Sequence, residues 1–95
     1  MWPGSVQALK SAQSGAESQR AAQRAVYCCL AMGRPADGEP YARIALRESG
    51  DNAGLRVRSM RALGTVLTWT AQAREALELH EQALALCKAN GLFAR

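Results

Sequence analysis

Ninety-five residues suffice for one domain, and a chain of that size buries only about 60–65 % of the surface it exposes when unfolded. A hydrophobic fraction of 48 %, much of it alanine, excludes a disordered polymer, and the longest apolar run, Ala25 to Met32, falls far below the roughly 20 residues that cross a bilayer. The net charge of +4 favours acidic partners, but the basic residues do not form the dense stripe of a nucleic-acid binder.

No stretch alternates apolar and polar residues as a strand does, so the chain is expected to be all-α. In chain order, helices are expected over about 5–13, 17–32, 39–49, 52–69 and 72–89. Ser14-Gly15 is expected to separate the first two. The run Gly33-Arg34-Pro35-Ala36-Asp37-Gly38 reads as an interhelical turn, with Asp37 capping a helix that enters through Glu39 and Pro40. Ser49-Gly50-Asp51-Asn52 reads as the next turn, with Asp51 or Asn52 as the cap. The fourth helix carries two apolar stripes, Met60/Leu63/Gly64/Leu67 and Ala62/Val66/Trp69, as a helix sandwiched between neighbours must. In the fifth, Ala76, Leu77, His80, Ala83, Leu84 and Cys87 follow a helical period on one face. Asn90-Gly91 supplies a stop.

The chain also resembles itself. Ala8-Leu9-Lys10, Ala45-Leu46-Arg47 and Ala85-Leu86-Cys87 each precede a glycine, at intervals of 37 and 40 residues. A period of that size, holding two helices per unit, marks a helical solenoid. Residues 1–95 are therefore expected to form a single array of about two repeats, 17–49 and 52–89, with partial units at both ends.

Leu63-Gly64 in one helix, small Ala76 and Ala83 in the next, and the run Ala73 to Leu84 give Met60–Leu86 a close resemblance to a tetratricopeptide repeat. Glycine inside a helix costs about 1 kcal/mol relative to alanine, so Gly64 implies close approach by another element. Met60, Leu67 and His80 stand where that family prefers aromatic residues, and Ala71 replaces a common turn glycine. In the preceding unit Gly33 aligns with the turn and Ala45 with the second small position, but Ala25-Val26 replaces Leu-Gly. The long period is similar to that of helical domains in bacterial MalT-like regulators. The resemblance implies antiparallel hairpins stacked as a short right-handed α-solenoid, with Leu63, Gly64, Ala76, His80 and Ala83 in packing roles. It implies a protein-binding scaffold and not an enzyme, with no cofactor or metal.

In such a stack the first helix of each pair lines a concave groove. Arg20, Gln23, Tyr27 and Leu30 would line it from one unit, and Arg58, Arg61, Thr65 and Thr68 from the next. Arg58, Arg61 and Thr65 share a helix face by spacing alone, and no acidic residue occurs between Asn52 and Thr70. The expected ligand is a protein or peptide, acidic or ending in a carboxylate, although Thr65 stands where a carboxylate clamp places asparagine. The alternative is a regulatory or oligomerisation segment of a larger bacterial transcriptional regulator or signalling ATPase. Self-association through exposed faces at the ends of the array is a further expectation.

The remaining chemistry-bearing residues point to packing. Cys28, Cys29 and Cys87 are odd in number and lie within apolar helical runs, so buried thiols in a reducing, cytoplasmic setting are expected. The first twenty residues lack the apolar centre of a secretory leader. His80 lies in the apolar stripe, and nothing in the spacing brings Ser59 to it as a nucleophile. Trp69 and Tyr27 are expected in core or inter-repeat packing. The glycine-containing turn at 33–38 lacks the spacing and lysine of a phosphate loop.

Overall fold

The computed structural model describes the backbone of residues 3–91 and the side chains of residues 15–91. Among the described residues the protein is all-helical, with α1 over Pro3–Ala31, α2 over Pro35–Glu48, α3 over Ala53–Trp69 and α4 over Ala73–Asn90. No described helix is long and apolar enough to cross a membrane. The repeat trio at Ala8-Leu9-Lys10 lies outside the described side chains.

The expected break at Ser14-Gly15 is absent, and α1 runs through it. One glycine weakens a helix by about 1 kcal/mol without ending it. A Cβ at Gly15 would lie 3.4 Å from the Glu48 carbonyl oxygen, so the glycine lets α1 pass close to the end of α2. The second helix begins at Pro35, four residues before the expected start. Pro35 takes the first-turn position that proline tolerates. Asp37 is therefore not the cap but a first-turn residue, paired with Arg34 at 2.7 Å. Pro40 falls inside the helix. Asn52 caps α3 as expected, its side chain accepting from the Leu55 N–H at 3.0 Å. Gly91 closes α4 in the left-handed conformation.

Consecutive helices pack against each other, and α1 also touches α3. Gly38 lies against Cys29 and Val26, and Gly15 against Glu48, so α1 and α2 run antiparallel. Gly64 lies against His80, and Val57 and Cys87 line one cleft, so α3 and α4 do the same. Two hairpins thus sit side by side, with α2 against both α1 and α3. Between the hairpins, Arg43 of α2 bridges Glu39 at 3.0 Å and Glu75 of α4 at 3.3 Å.

The two hairpins share a register of 38 residues, which replaces the expected spacings of 37 and 40. Helix α1 ends at Ala31 and α3 at Trp69; α2 starts at Pro35 and α4 at Ala73. The two turns close in the same way. Gly33 and Ala71 both have positive φ, +72° and +63°. The Arg34 N–H donates to the Cys29 carbonyl at 2.8 Å, and the Gln72 N–H to the Leu67 carbonyl at 2.8 Å. Each is the six-to-one closure that follows a left-handed residue at a helix end. Ala45 and Ala83 are equivalent under this register, and both are buried, whereas Ala85 is exposed.

The core is a single cluster built around Val26, Ala42, Leu63, Val66, Leu67, Ala76 and Ala83. Leu63, Val66 and Leu67 are at most 1 % exposed, so each contributes about 1.5–3 kcal/mol of burial. They come from both stripes of α3, the helix with neighbours on two sides. Among the described helices α4 packs only against α3, apart from the Arg43–Glu75 ion pair. Its buried stripe is Ala76, Leu79 and Ala83, and the expected members Leu77 and Leu84 are 59 % and 50 % exposed.

Candidate functional site

Beneath the candidate groove lies a polar chain that sequence spacing did not reveal. Gln19 of α1 and Ser59 of α3 are fully buried, and Ser49 at the end of α2 is 4 % exposed. The Ser49 hydroxyl donates to the Ala45 carbonyl at 2.8 Å and contacts the Ser59 hydroxyl at 2.9 Å. With the Ser49 proton committed, Ser59 donates to Ser49 and accepts from Gln19 Nε2 at 3.0 Å. The second Nε2 proton of Gln19 goes to Gln23 Oε1 at 2.6 Å, and Gln23 Nε2 donates to the Tyr27 hydroxyl at 3.3 Å. Only Gln19 Oε1 has no partner among the described buried side-chain atoms. Buried polar groups of this kind fix one arrangement because losing any partner is expensive. The chain joins α1, α2 and α3, and it holds Gln23 and Tyr27 at the surface.

Tyr27, Arg58, Arg61 and Thr65 line one shallow cleft of about 190 Å³. Four of the residues expected in a groove are therefore brought together, from both α1 and α3. Gln23 is half-buried behind Tyr27. Arg20 and Thr68 are exposed on the same two helices, outside the cleft lining. The hydroxyls of Thr65 and Thr68 donate to the carbonyls of Arg61 and Gly64, at 2.9 and 2.8 Å, so neither is free to donate outward. The Tyr27 oxygen accepts from Gln23, which leaves its own proton for the cleft. Two guanidinium groups and one phenolic proton thus face a space with no acidic side chain in its lining. Such a donor set suits a carboxylate or phosphate.

Next to this cleft lies an apolar one. Leu30, Gly33, Pro35 and Trp69 line an open space of about 440 Å³. Trp69 is 71 % exposed and Tyr27 51 %, so neither is the packing residue expected. The cause is the same for both. Each lies on the open side of its helix, since α2 covers the opposite side of α1 and α3. Arg58, Thr65 and Trp69 stand at i, i+7 and i+11, one helical face. That spacing is present in the sequence, but Trp69 fits the Ala62/Val66 stripe by spacing equally well.

The remaining chemistry-bearing side chains lie away from the Tyr27 cleft. The cysteines are not buried: Cys28 is exposed, and Cys29 and Cys87 are half-buried, all as free thiols. No group of three or more metal-ligating side chains occurs among the described residues. Ser59 is fully buried and locked in the polar chain. His80 is exposed, yet its ring lies directly over Gly64. Leu63, Ala76 and Ala83 are buried at the α3–α4 contact.

Comparisons with protein-family models, with curated proteins and with solved structures find no match for this chain.

Proposed function

We propose that the chain is a tetratricopeptide-like stack, right-handed and solenoidal, that binds an acidic peptide along the groove formed by α1 and α3. The observation that carries this reading is the cleft of Tyr27, Arg58, Arg61 and Thr65, donor-rich and without an acidic residue. The 38-residue register, with paired small residues and matched turns, supports the repeat architecture on which the groove depends. The function is binding and not catalysis, and the setting is the cytoplasm, where free thiols persist.

The neighbouring Trp69 cleft extends the recognition. Tyr27 and Leu30 are three residues apart on α1, and Thr65 and Trp69 four apart on α3, so the two clefts are offset by about 5–6 Å along the helices. An extended peptide covers that distance in about two residues, and its i and i+2 side chains point the same way. The ligand is therefore an extended segment carrying an acidic residue two positions from a large apolar one.

The reading is tested by screening an array of acidic peptides against the chain and against a variant carrying Arg58→Ala and Arg61→Ala. Binding that depends on both arginines and weakens with salt supports it. Peptides that bind both proteins equally would refute it.

A further inference from the structure

The outer face of the second hairpin holds a cleft of about 240 Å³ lined by Val57, Arg61, His80, Ala83, Leu84 and Cys87. Under the 38-residue register these residues correspond to a set on the first hairpin that is already occupied. Val57 corresponds to Gln19, Cys87 to Ser49, and Ala83 to Ala45. On the first hairpin, Gln19 and Ser49 both bond to Ser59 of α3, and Gly38, the equivalent of Ala76, has Val66 of α3 3.6 Å from its built Cβ. The same seat thus occurs twice. In the first hairpin α3 fills it; in the second no described element does, and Leu84 is half exposed.

We propose that this open face is a docking seat for an α-helix of a partner protein, lying on the second hairpin as α3 lies on the first. The differences between the two seats define the partner. Val57 and Cys87 replace the polar pair Gln19 and Ser49, so the residue at the centre of the docked helix is alanine or valine, not serine. Ala83 is the equivalent of Ala45, and a helix that lies on it as closely as α3 lies on the first hairpin carries a small residue at the position of Ala62, itself 1 % exposed. An apolar residue follows at the position of Val66. On the groove side, an acidic residue at the position of Arg58 lies beside Arg61 and Thr65, which gives charge complementarity.

A second copy of this chain is a poor occupant. In a head-to-tail stack α1 would take the place of α3, and Arg24, which is exposed, would fall where the seat admits Ala62. Burying that guanidinium against Ala83 without a carboxylate is heavily unfavourable.

The test uses the full chain and a fluorescein-labelled peptide of α3, residues 53–69, bearing Ser59→Ala and Arg58→Glu, followed by anisotropy. Saturable one-to-one binding is expected, weakened about tenfold or more by Leu84→Glu. Leu77→Glu, an exposed change outside the seat, leaves binding intact. Unchanged circular dichroism in both variants shows that the fold survives. Arg61 lines both clefts, but Leu84 lies outside the Tyr27 cleft, so Leu84→Glu separates docking at the seat from peptide binding in the groove. No binding, or binding indifferent to Leu84→Glu, would overturn the proposal. So would a concentration-dependent dimer of the chain that Leu84→Glu abolishes, since a second copy would then hold the seat.

Discussion

The imidazole of His80 covers Gly64 so closely that a Cβ built on the glycine would stand 2.7 Å from two ring atoms. At the equivalent positions of the first hairpin stand Val26 and Ala42, both fully buried. The bulk has changed sides: the first helix carries it in one hairpin and the second helix in the other. Volume is conserved across the contact, as close packing requires.

This pairing makes a double-mutant cycle informative. Gly64→Ala gains about 1 kcal/mol of helix propensity but must push the ring aside. Because His80 is exposed, the ring can swing out, and the net change is expected within about 0.5 kcal/mol. In a His80→Ala background the same change is expected to stabilise by about 0.5–1 kcal/mol. Urea unfolding of the four proteins measures the coupling; strict additivity would show that the ring does not occupy that space.

The left-handed turn at Ala71 offers a gain. An alanine with φ of +63° is strained by about 1–2 kcal/mol, and glycine is not. Glycine also loses more freedom on folding, which offsets part of the relief. Ala71→Gly is expected to raise stability by about 0.5–1 kcal/mol, and Gly33→Ala to lower it by a similar amount. Thermal melts decide; a destabilising Ala71→Gly would mean that the turn is not left-handed.

Removing the centre of the buried polar chain should be costly. Ser59→Ala leaves one Gln19 Nε2 proton without an acceptor and Ser49 without its donor, for a loss of about 1–3 kcal/mol. Hydrogen exchange at the α1–α3 contact should rise in parallel. A neutral substitution would show that the chain is not formed.

Arg43 has its pKa raised, first by the hydrogen bond to Glu39 and then by the charge and hydrogen bond of Glu75. A raised folded-state value means that the stabilisation is complete below the ordinary arginine pKa and is lost only as pH rises through the folded one. Stability from this group is therefore flat from pH 7 to strongly alkaline solution. The Arg43 side chain is 47 % exposed, so solvent screens the bridge and Arg43→Gln should cost no more than about 1 kcal/mol. A larger loss, or one that appears near neutral pH, would contradict this assignment.

Much of the architecture is legible in the sequence. Asn52, Gly91 and the small residues Gly64, Ala76 and Ala83 mark caps and contacts whose local chemistry admits few alternatives. The start of α2 is not, because Asp37 and Pro35 both suit a first turn and only the tertiary turn decides between them. Gly15 reads as a breaker until the neighbouring helix that requires it is known. The α4 stripe is ambiguous for a similar reason: Leu77 and Leu79 both fit a helical period, and which is buried depends on α4 having one neighbour. Arg58, Arg61 and Thr65 are legible as one face. Their union with Tyr27, held by Gln19 and Gln23, rests on a hydrogen bond across 40 residues that no local pattern announces.

The most direct measurement is the affinity of a peptide carrying Glu-x-Leu for the chain, read by Trp69 fluorescence in a Trp2→Phe background. Saturable binding is expected. It should fall about tenfold or more when Arg58 and Arg61 are both changed to alanine, and about tenfold or more when the leucine of the peptide is changed to serine. Affinity unmoved by the loss of both arginines would contradict the groove formed by α1 and α3.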